Sequence, residues 1–82
     1  MKITFENREV EVVKVHDKGW EGLVLFDQNE NQYYLYDLLW CGGGYIDRFL
    51  KITKAEYLEF ERLSYPESTQ LVMRLAEKST TR

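Results

Sequence analysis

The stretch EVEVVKVH, residues 9–16, limits the possible folds more than any other part of the sequence. Val10 and Val12 lie on one face of an extended strand, whereas Val13 and Val15 continue the apolar pattern on the opposite face. Because side chains alternate strictly along a strand, this change of parity requires a bulge or a bend near Val12 and Val13. A strongly bent second strand is typical of small antiparallel barrels.

Four other segments have the alternation or the apolar content of strands, and short polar connections separate them. These segments are residues 2–6, 23–27, 32–40 and 45–52. Short connections favour antiparallel pairing of consecutive strands, which predicts a β-meander of about five strands. The stretch Asp37–Trp40 is compatible with two structures, a continuation of the fourth strand or one helical turn that ends at the following glycines.

Two helix starts follow the last predicted strand. TKAE, residues 53–56, matches a capping box, in which the Thr53 hydroxyl accepts a first-turn amide hydrogen bond and Glu56 reaches back. SYPE, residues 64–67, repeats this pattern and places Pro66 in the first turn. The second helix has an apolar face, which consists of Leu71, Val72, Leu75 and Ala76.

These elements predict an α+β domain, in which an antiparallel β-meander precedes two short C-terminal helices. An SH3-like barrel is one form that such a meander can take. With 82 residues, the chain is expected to be a single domain, 1–82. We expect the meander in 1–52, the helical part in 53–78 and a frayed tail in 79–82.

Few residues are suited to metal binding or to catalysis. The chain has one cysteine and one histidine, so it can form neither an internal disulfide nor a structural zinc site, which needs about four N or S ligands. No calcium-loop spacing occurs, and we expect no metal and no cofactor. The N-terminal residues have no apolar leader and the chain has no membrane-spanning run, so the predicted location is the cytoplasm.

The stretch WCGGGYID, residues 40–47, allows two interpretations. A glycine run can bind phosphate through its amides, but the lysine and hydroxyl residues that usually accompany such loops are missing here. We therefore assign Gly42, Gly43 and Gly44 to a structural turn. An enzyme is the alternative, in which His16 would activate Cys41 and Asp17 or Asp37 would orient the imidazole.

Charge is distributed unevenly along the chain. Residues 1–50 contain five Lys or Arg and nine Asp or Glu, whereas residues 51–82 contain six and five. An acidic half repels polynucleotides and attracts basic proteins, so we expect a basic protein partner and no nucleic acid.

Aromatic residues are the second signal of a binding function. Tyr34, Tyr36 and Trp40 share one parity of the fourth strand, and Trp20 lies between glycines in GWEG. Core packing is the ordinary role of a strand tyrosine, but exposed tyrosine and tryptophan side chains often dominate protein interfaces. The predicted partner-binding residues are Trp20, Glu21, Tyr34, Tyr36, Asp37, Glu9 and Glu11.

The function predicted from these features is that of a small, acidic, non-enzymatic protein-binding domain. More specifically, we expect an inhibitor of the bacterial immunity type, which neutralises a basic toxin such as a nuclease. Two alternatives remain, a structural or adaptor module that forms a homodimer through its aromatic strand, and a small cysteine-dependent enzyme.

Overall fold

Six strands come first along the chain and two helices come last, which confirms the predicted α+β class. The structure is a computed structural model that describes residues 1–80, with side chains described through Lys78. The strands are β1 (Lys2–Phe5), β2 (Arg8–Glu11), β3 (Val13–Asp17), β4 (Leu23–Asp27), β5 (Gln32–Trp40) and β6 (Tyr45–Ile52), and the helices are α1 (Lys54–Arg62) and α2 (Glu67–Thr80).

The strands form two antiparallel sheets, which are a β1–β2 hairpin and a four-stranded sheet in the order β3-β4-β5-β6. The larger sheet has a hydrophobic cluster on each face. On one face, Val24, Leu35 and Leu50 pack with the helical residues Phe60 and Leu71. The other face packs against the small hairpin, in a cluster of Ile3, Val10, Val12, Leu25 and Tyr34. Because neighbouring residues of a strand point to opposite faces, β4 and β5 supply side chains to both clusters.

The change of parity at Val12 marks the point where the chain passes from one sheet to the other. β2 ends at Glu11 and β3 begins at Val13, whereas Val12 itself is buried and donates its amide to the Met1 carbonyl at 2.8 Å. The predicted second strand is therefore two strands, and the total is six instead of about five. Neither sheet closes within residues 1–80, so the SH3-like barrel is not observed.

The ambiguous stretch Asp37–Trp40 is a strand and completes the nine residues of β5. Each of its residues pairs with β6, from Asp37 opposite Arg48 to Trp40 opposite Tyr45. The helical turn considered for this stretch does not form.

The two helices begin differently. The Thr53 capping box is confirmed, because the Glu56 amide donates to Thr53 Oγ1 at 3.1 Å and the Thr53 amide donates to Glu56 Oε1 at 2.8 Å. The capping box predicted at 64–67 is not observed. There, the Ser68 amide donates to the Ser64 carbonyl at 3.0 Å, and α2 begins after Pro66.

The second helix is longer than predicted. α2 extends to Thr80, so residues 79 and 80 of the predicted frayed tail are helical, and residues 81 and 82 lie outside the described part of the chain.

Candidate functional site

The end of the β5–β6 hairpin extends past the rest of the sheet. β4 pairs with β5 only as far as Tyr36, opposite Leu23, whereas β5 continues to Trp40 and pairs there with β6 alone. We call residues 37–48 the hairpin arm. The arm follows from a difference in strand length, since β4 has five residues and β5 has nine.

The hairpin arm is apolar and exposed on both of its faces. Trp40 is 61% exposed and Tyr45 is 65% exposed, and their rings meet edge to face with centroids 5.1 Å apart. Leu38 lies on the same face, because it is two residues from Trp40. Leu39 and its cross-strand partner Ile46 are exposed on the opposite face. Exposed apolar side chains grouped in this way are typical of protein–protein contact surfaces.

Two polar contacts hold the base of the hairpin arm. Asp37 accepts two hydrogen bonds from Arg48, from Nε at 2.9 Å and from Nη2 at 2.7 Å. The hydrogen bonds to this carboxylate raise the pKa of the Arg48 guanidinium. On the other face, the Tyr36 hydroxyl donates to Asp47 Oδ1 at 2.8 Å, and this hydrogen bond to a carboxylate raises the pKa of Tyr36. Cross-strand contacts of this kind fix the twist and register of an otherwise unsupported hairpin.

At the tip, the three glycines form the turn that joins β5 to β6. The Cys41 amide donates to the Gly44 carbonyl at 2.7 Å, and Gly42 and Gly43 have φ values of +45° and +111°. Residues with a Cβ atom rarely reach the φ of Gly43, so the turn requires glycine most strongly there, whereas the φ of Gly42 lies in the region that Asn7 and Asn31 also occupy.

Trp20 lies beside the base of the hairpin arm, in a short 3-10 helix, Gly19–Glu21, between β3 and β4. Its side chain is 75% exposed, and its ring contacts that of Tyr65 with centroids 5.2 Å apart. A groove of about 200 Å³ separates this helix from the arm, and its lining includes Trp20, Tyr36 and Leu38. Trp20 and the hairpin arm therefore border one continuous surface.

The chain reverses sharply around Trp20 for two local reasons. Asp17 Oδ1 accepts the Gly19 amide at 2.7 Å, and this hydrogen bond lowers the pKa of Asp17. Gly22 follows with φ +143°, and a Cβ atom there would lie 3.2 Å from the Tyr36 carbonyl oxygen. The hydrogen bond fixes the start of the 3-10 helix, and the missing side chain of Gly22 allows the chain to pass close to β5.

The structure brings three of the predicted site residues together and separates the others. Trp20, Tyr36 and Asp37 line the same groove. Glu21 is half-buried and accepts a hydrogen bond from the buried Ser68 hydroxyl. Tyr34 is only 1% exposed and belongs to the cluster under the β1–β2 hairpin, so it cannot contact a partner directly. Its burial raises its pKa.

Glu9 and Glu11 are exposed but lie elsewhere. They line a separate depression together with Asp27 and Glu30, at the β4–β5 turn. This turn comes directly after the Asp27–Gln32 pair, and it lies at the end of the sheet opposite to the hairpin arm. The predicted site therefore corresponds to two surfaces.

Sequence analysis did not select four apolar residues of the hairpin arm. They are Leu38, Leu39, Tyr45 and Ile46. Their exposure follows from the missing neighbour on β5, and the unequal lengths of LVLFD and QYYLYDLLW were the only sequence signal of it.

The residues considered for thiol chemistry lie far apart. His16 pairs with Val24, which pairs with Leu35, whereas Cys41 lies six residues beyond Leu35 along the hairpin. At the usual rise per residue, this spacing alone is about 20 Å. The His16 imidazole instead packs edge to face on Phe60, and its Nδ1 atom lies 3.8 Å from Glu61 Oε2.

Comparisons with known protein families, with curated proteins and with solved structures find no match to this chain. Among the described residues, no group of three or more His, Cys, Asp or Glu side chains is placed to hold a metal ion. No helix in the same part of the chain combines the length and the apolar character needed to cross a membrane.

Proposed function

We propose that this chain is a non-enzymatic protein-binding domain, and that the hairpin arm and Trp20 form its binding surface. The observation that carries this proposal is the exposure of Trp40 and Tyr45 on a hairpin that extends past the sheet. Large aromatic side chains that are already ordered lose little conformational entropy on binding, and they commonly supply the hot spots of an interface.

The charge around this surface favours a basic partner. The segments 17–22 and 36–48 together contain four carboxylates and two cationic side chains. Arg48 and Asp37 offset each other in an ion pair, and Lys18 Nζ donates to the Leu63 carbonyl at 2.6 Å, so the two segments together have a formal net charge of −2. A negative rim around an apolar centre accelerates association with a positively charged surface.

Within this class, we favour an inhibitor of the immunity type, which acts in the bacterial cytoplasm on a basic toxin such as a nuclease. The hairpin arm is narrow and apolar, and carboxylates lie where it joins the sheet. Such a shape is suited to a cleft that normally holds a polyanion. Nucleic acid itself is a poor ligand for this surface, because single-strand sites combine aromatic side chains with lysine and arginine.

Site-specific photo-crosslinking tests the proposal. A photoreactive residue is placed at position 40 in the source organism, and a second variant carries it at position 58, since Leu58 is an exposed apolar residue of α1. We expect one dominant, basic protein to crosslink at position 40 and not at position 58. Inhibition of that protein's own activity by the purified domain then tests the inhibitor assignment.

Calorimetry with the identified partner measures how much the hairpin arm contributes to the binding affinity. Trp40→Ser is expected to weaken binding at least about 30-fold, as loss of a hot-spot aromatic does. Leu58→Ser, outside the surface, leaves binding unchanged, and Cys41→Ser, a near-isosteric change within the arm, leaves it largely intact. Added salt weakens the complex if the acidic rim steers association. A salt-independent affinity contradicts the charge argument, and loss of function in Cys41→Ser favours the enzyme alternative.

A further inference from the structure

The two edges of the four-stranded sheet differ in how they are protected. β3 is short and has a register shift between Lys14 and His16, and an irregularity of this kind discourages another strand from pairing with the edge. β6 is eight residues long and pairs with β5 without any register shift. Among the described residues, β5 is the only element that hydrogen-bonds to the main chain of β6. A long, regular edge with free amides and carbonyls can accept a further strand.

Two of the three charged residues of β6 are placed symmetrically about Phe49, whereas the third, Arg48, pairs with Asp37 on β5. Asp47 lies two residues before Phe49 and Lys51 lies two residues after it, and all three side chains are on the same face of the strand. Both charged residues are exposed at this edge. When a second β6 pairs antiparallel about a two-fold axis at Phe49, each Asp47 therefore lies opposite Lys51 of the second copy.

The other positions of β6 are compatible with this register. Phe49 lies opposite Phe49 of the second copy, and Ile46 lies opposite its Ile52. Arg48 lies opposite Leu50 of the second copy and keeps its ion pair with Asp37 of its own chain. Aromatic pairs, aliphatic pairs and opposite charges are the favourable cross-strand combinations in antiparallel sheets. A shift by one residue places Asp47 opposite Leu50 and Lys51 opposite Ile46, and neither charge then has a partner.

These charges do not pair within one chain. Four residues of an extended strand separate the Cα atoms of Asp47 and Lys51 by about 13 Å. Their neighbours on β5 are Leu38 and Tyr34, which are uncharged. Asp47 accepts the Tyr36 hydroxyl, and the Lys51 amine lies 5.7 Å from the centroid of the Phe5 ring. Each side chain therefore remains available to an opposite charge on another molecule.

We propose that two copies of this chain pair through β6, antiparallel and centred on Phe49, to form one continuous eight-stranded sheet. This inference does not depend on the proposed function. Residues 45–48 of the hairpin arm lie in this joint and pair there through their main chain, whereas Trp40 and the turn at residues 41–44 extend past Tyr45, the last residue of β6 toward the tip. The two hairpin arms of the dimer then point in opposite directions, and each can bind its own partner.

Charge exchange tests both the dimer and its register. The single variants are Asp47→Lys and Lys51→Asp, and sedimentation velocity over a wide concentration range measures association. Each single variant places two pairs of like charges in its own dimer, so we expect its dissociation constant to rise about tenfold or more. A mixture of the two variants restores association, because each copy then opposes the charges of the other, and the double variant restores it within one chain.

The controls separate this joint from the tip of the hairpin arm and from misfolding. Circular dichroism of each single variant establishes that it is folded, and Trp40→Ser is expected to dimerise like the original chain. A wild-type chain that remains monomeric at the highest concentration overturns the proposal. A dimer that is unaffected by the charge variants, or that Trp40→Ser abolishes, also overturns it.

Discussion

The centre of the four-stranded sheet and the hairpin arm share the same two strands but have different surroundings. Leu35 on β5 is 0% exposed, because helices cover its face of the sheet, whereas Leu38 on the same strand is 55% exposed. A core position and a surface position therefore lie only three positions apart on one strand. The comparison teaches that the neighbouring layers, and not the hydrophobicity of β5 itself, decide which of its apolar residues stabilise the fold and which remain available for binding.

The largest expected difference in the free energy of unfolding is between two Leu→Ala substitutions, one in the centre of the sheet and one in the hairpin arm. Leu35→Ala removes a fully buried side chain and is expected to lower the free energy of unfolding by about 2–5 kcal/mol. Leu38→Ala is expected to change it by at most about 0.5 kcal/mol, as at other exposed positions. Urea denaturation followed by circular dichroism measures both values. Equal losses would mean that the hairpin arm is part of the core.

The ion pair at the base of the hairpin arm gives a smaller effect. Asp37→Asn leaves Arg48 half-buried without its bidentate partner, so we expect a loss of about 1–2 kcal/mol in the free energy of unfolding. Asp47→Asn is the matched control on the opposite face, where the exposed bond from Tyr36 contributes less. Urea denaturation compares the two variants. If Asp47→Asn costs as much as Asp37→Asn, the ion pair does not anchor the arm.

The turn at the tip should show the smallest effect on the whole fold. Gly43→Val forces a β-branched residue to a φ of +111°, and we expect a cost of about 1 kcal/mol in the free energy of unfolding, limited by local opening of the arm. Gly44→Ala is the control, since no atom lies within 4 Å of its added Cβ and its φ is not in the left-handed region. Thermal unfolding, together with amide exchange at residues 38–47, measures both variants. A larger loss in Gly44→Ala would mean that packing, and not φ, constrains the turn.

Local sequence patterns predicted most of the secondary structure. The Thr53 capping box, the alternation in residues 45–52 and the change of parity at Val12 all reflect interactions within a few residues. For that reason they can be read without knowledge of the fold. The separation of β2 from β3 was missed because a parity change indicates a bend but does not reveal whether the two halves remain in one sheet.

The candidate site was only partly predictable. The flanking glycines and the partner-binding prediction for Trp20 agree with the structure, in which Trp20 is exposed in a 3-10 helix between two strands. Tyr34 and Tyr36 have the same parity and the same residue type, yet Tyr34 is buried beside Ile3 and Val10, and Tyr36 lies at the edge of that cluster. No pattern within β5 distinguishes them, because the distinction depends on where the β1–β2 hairpin ends above the sheet.

The sequence by itself determined the order of strands and helices, the glycine turn at residues 42–44 and the charge symmetry about Phe49, because all of these depend on neighbouring residues. Only the tertiary structure decided that WCGGGYID is the tip of an exposed arm. The arm is exposed because β4 is too short to pair with it and because neither the helices nor the β1–β2 hairpin covers it. Both causes depend on contacts between segments far apart in the chain.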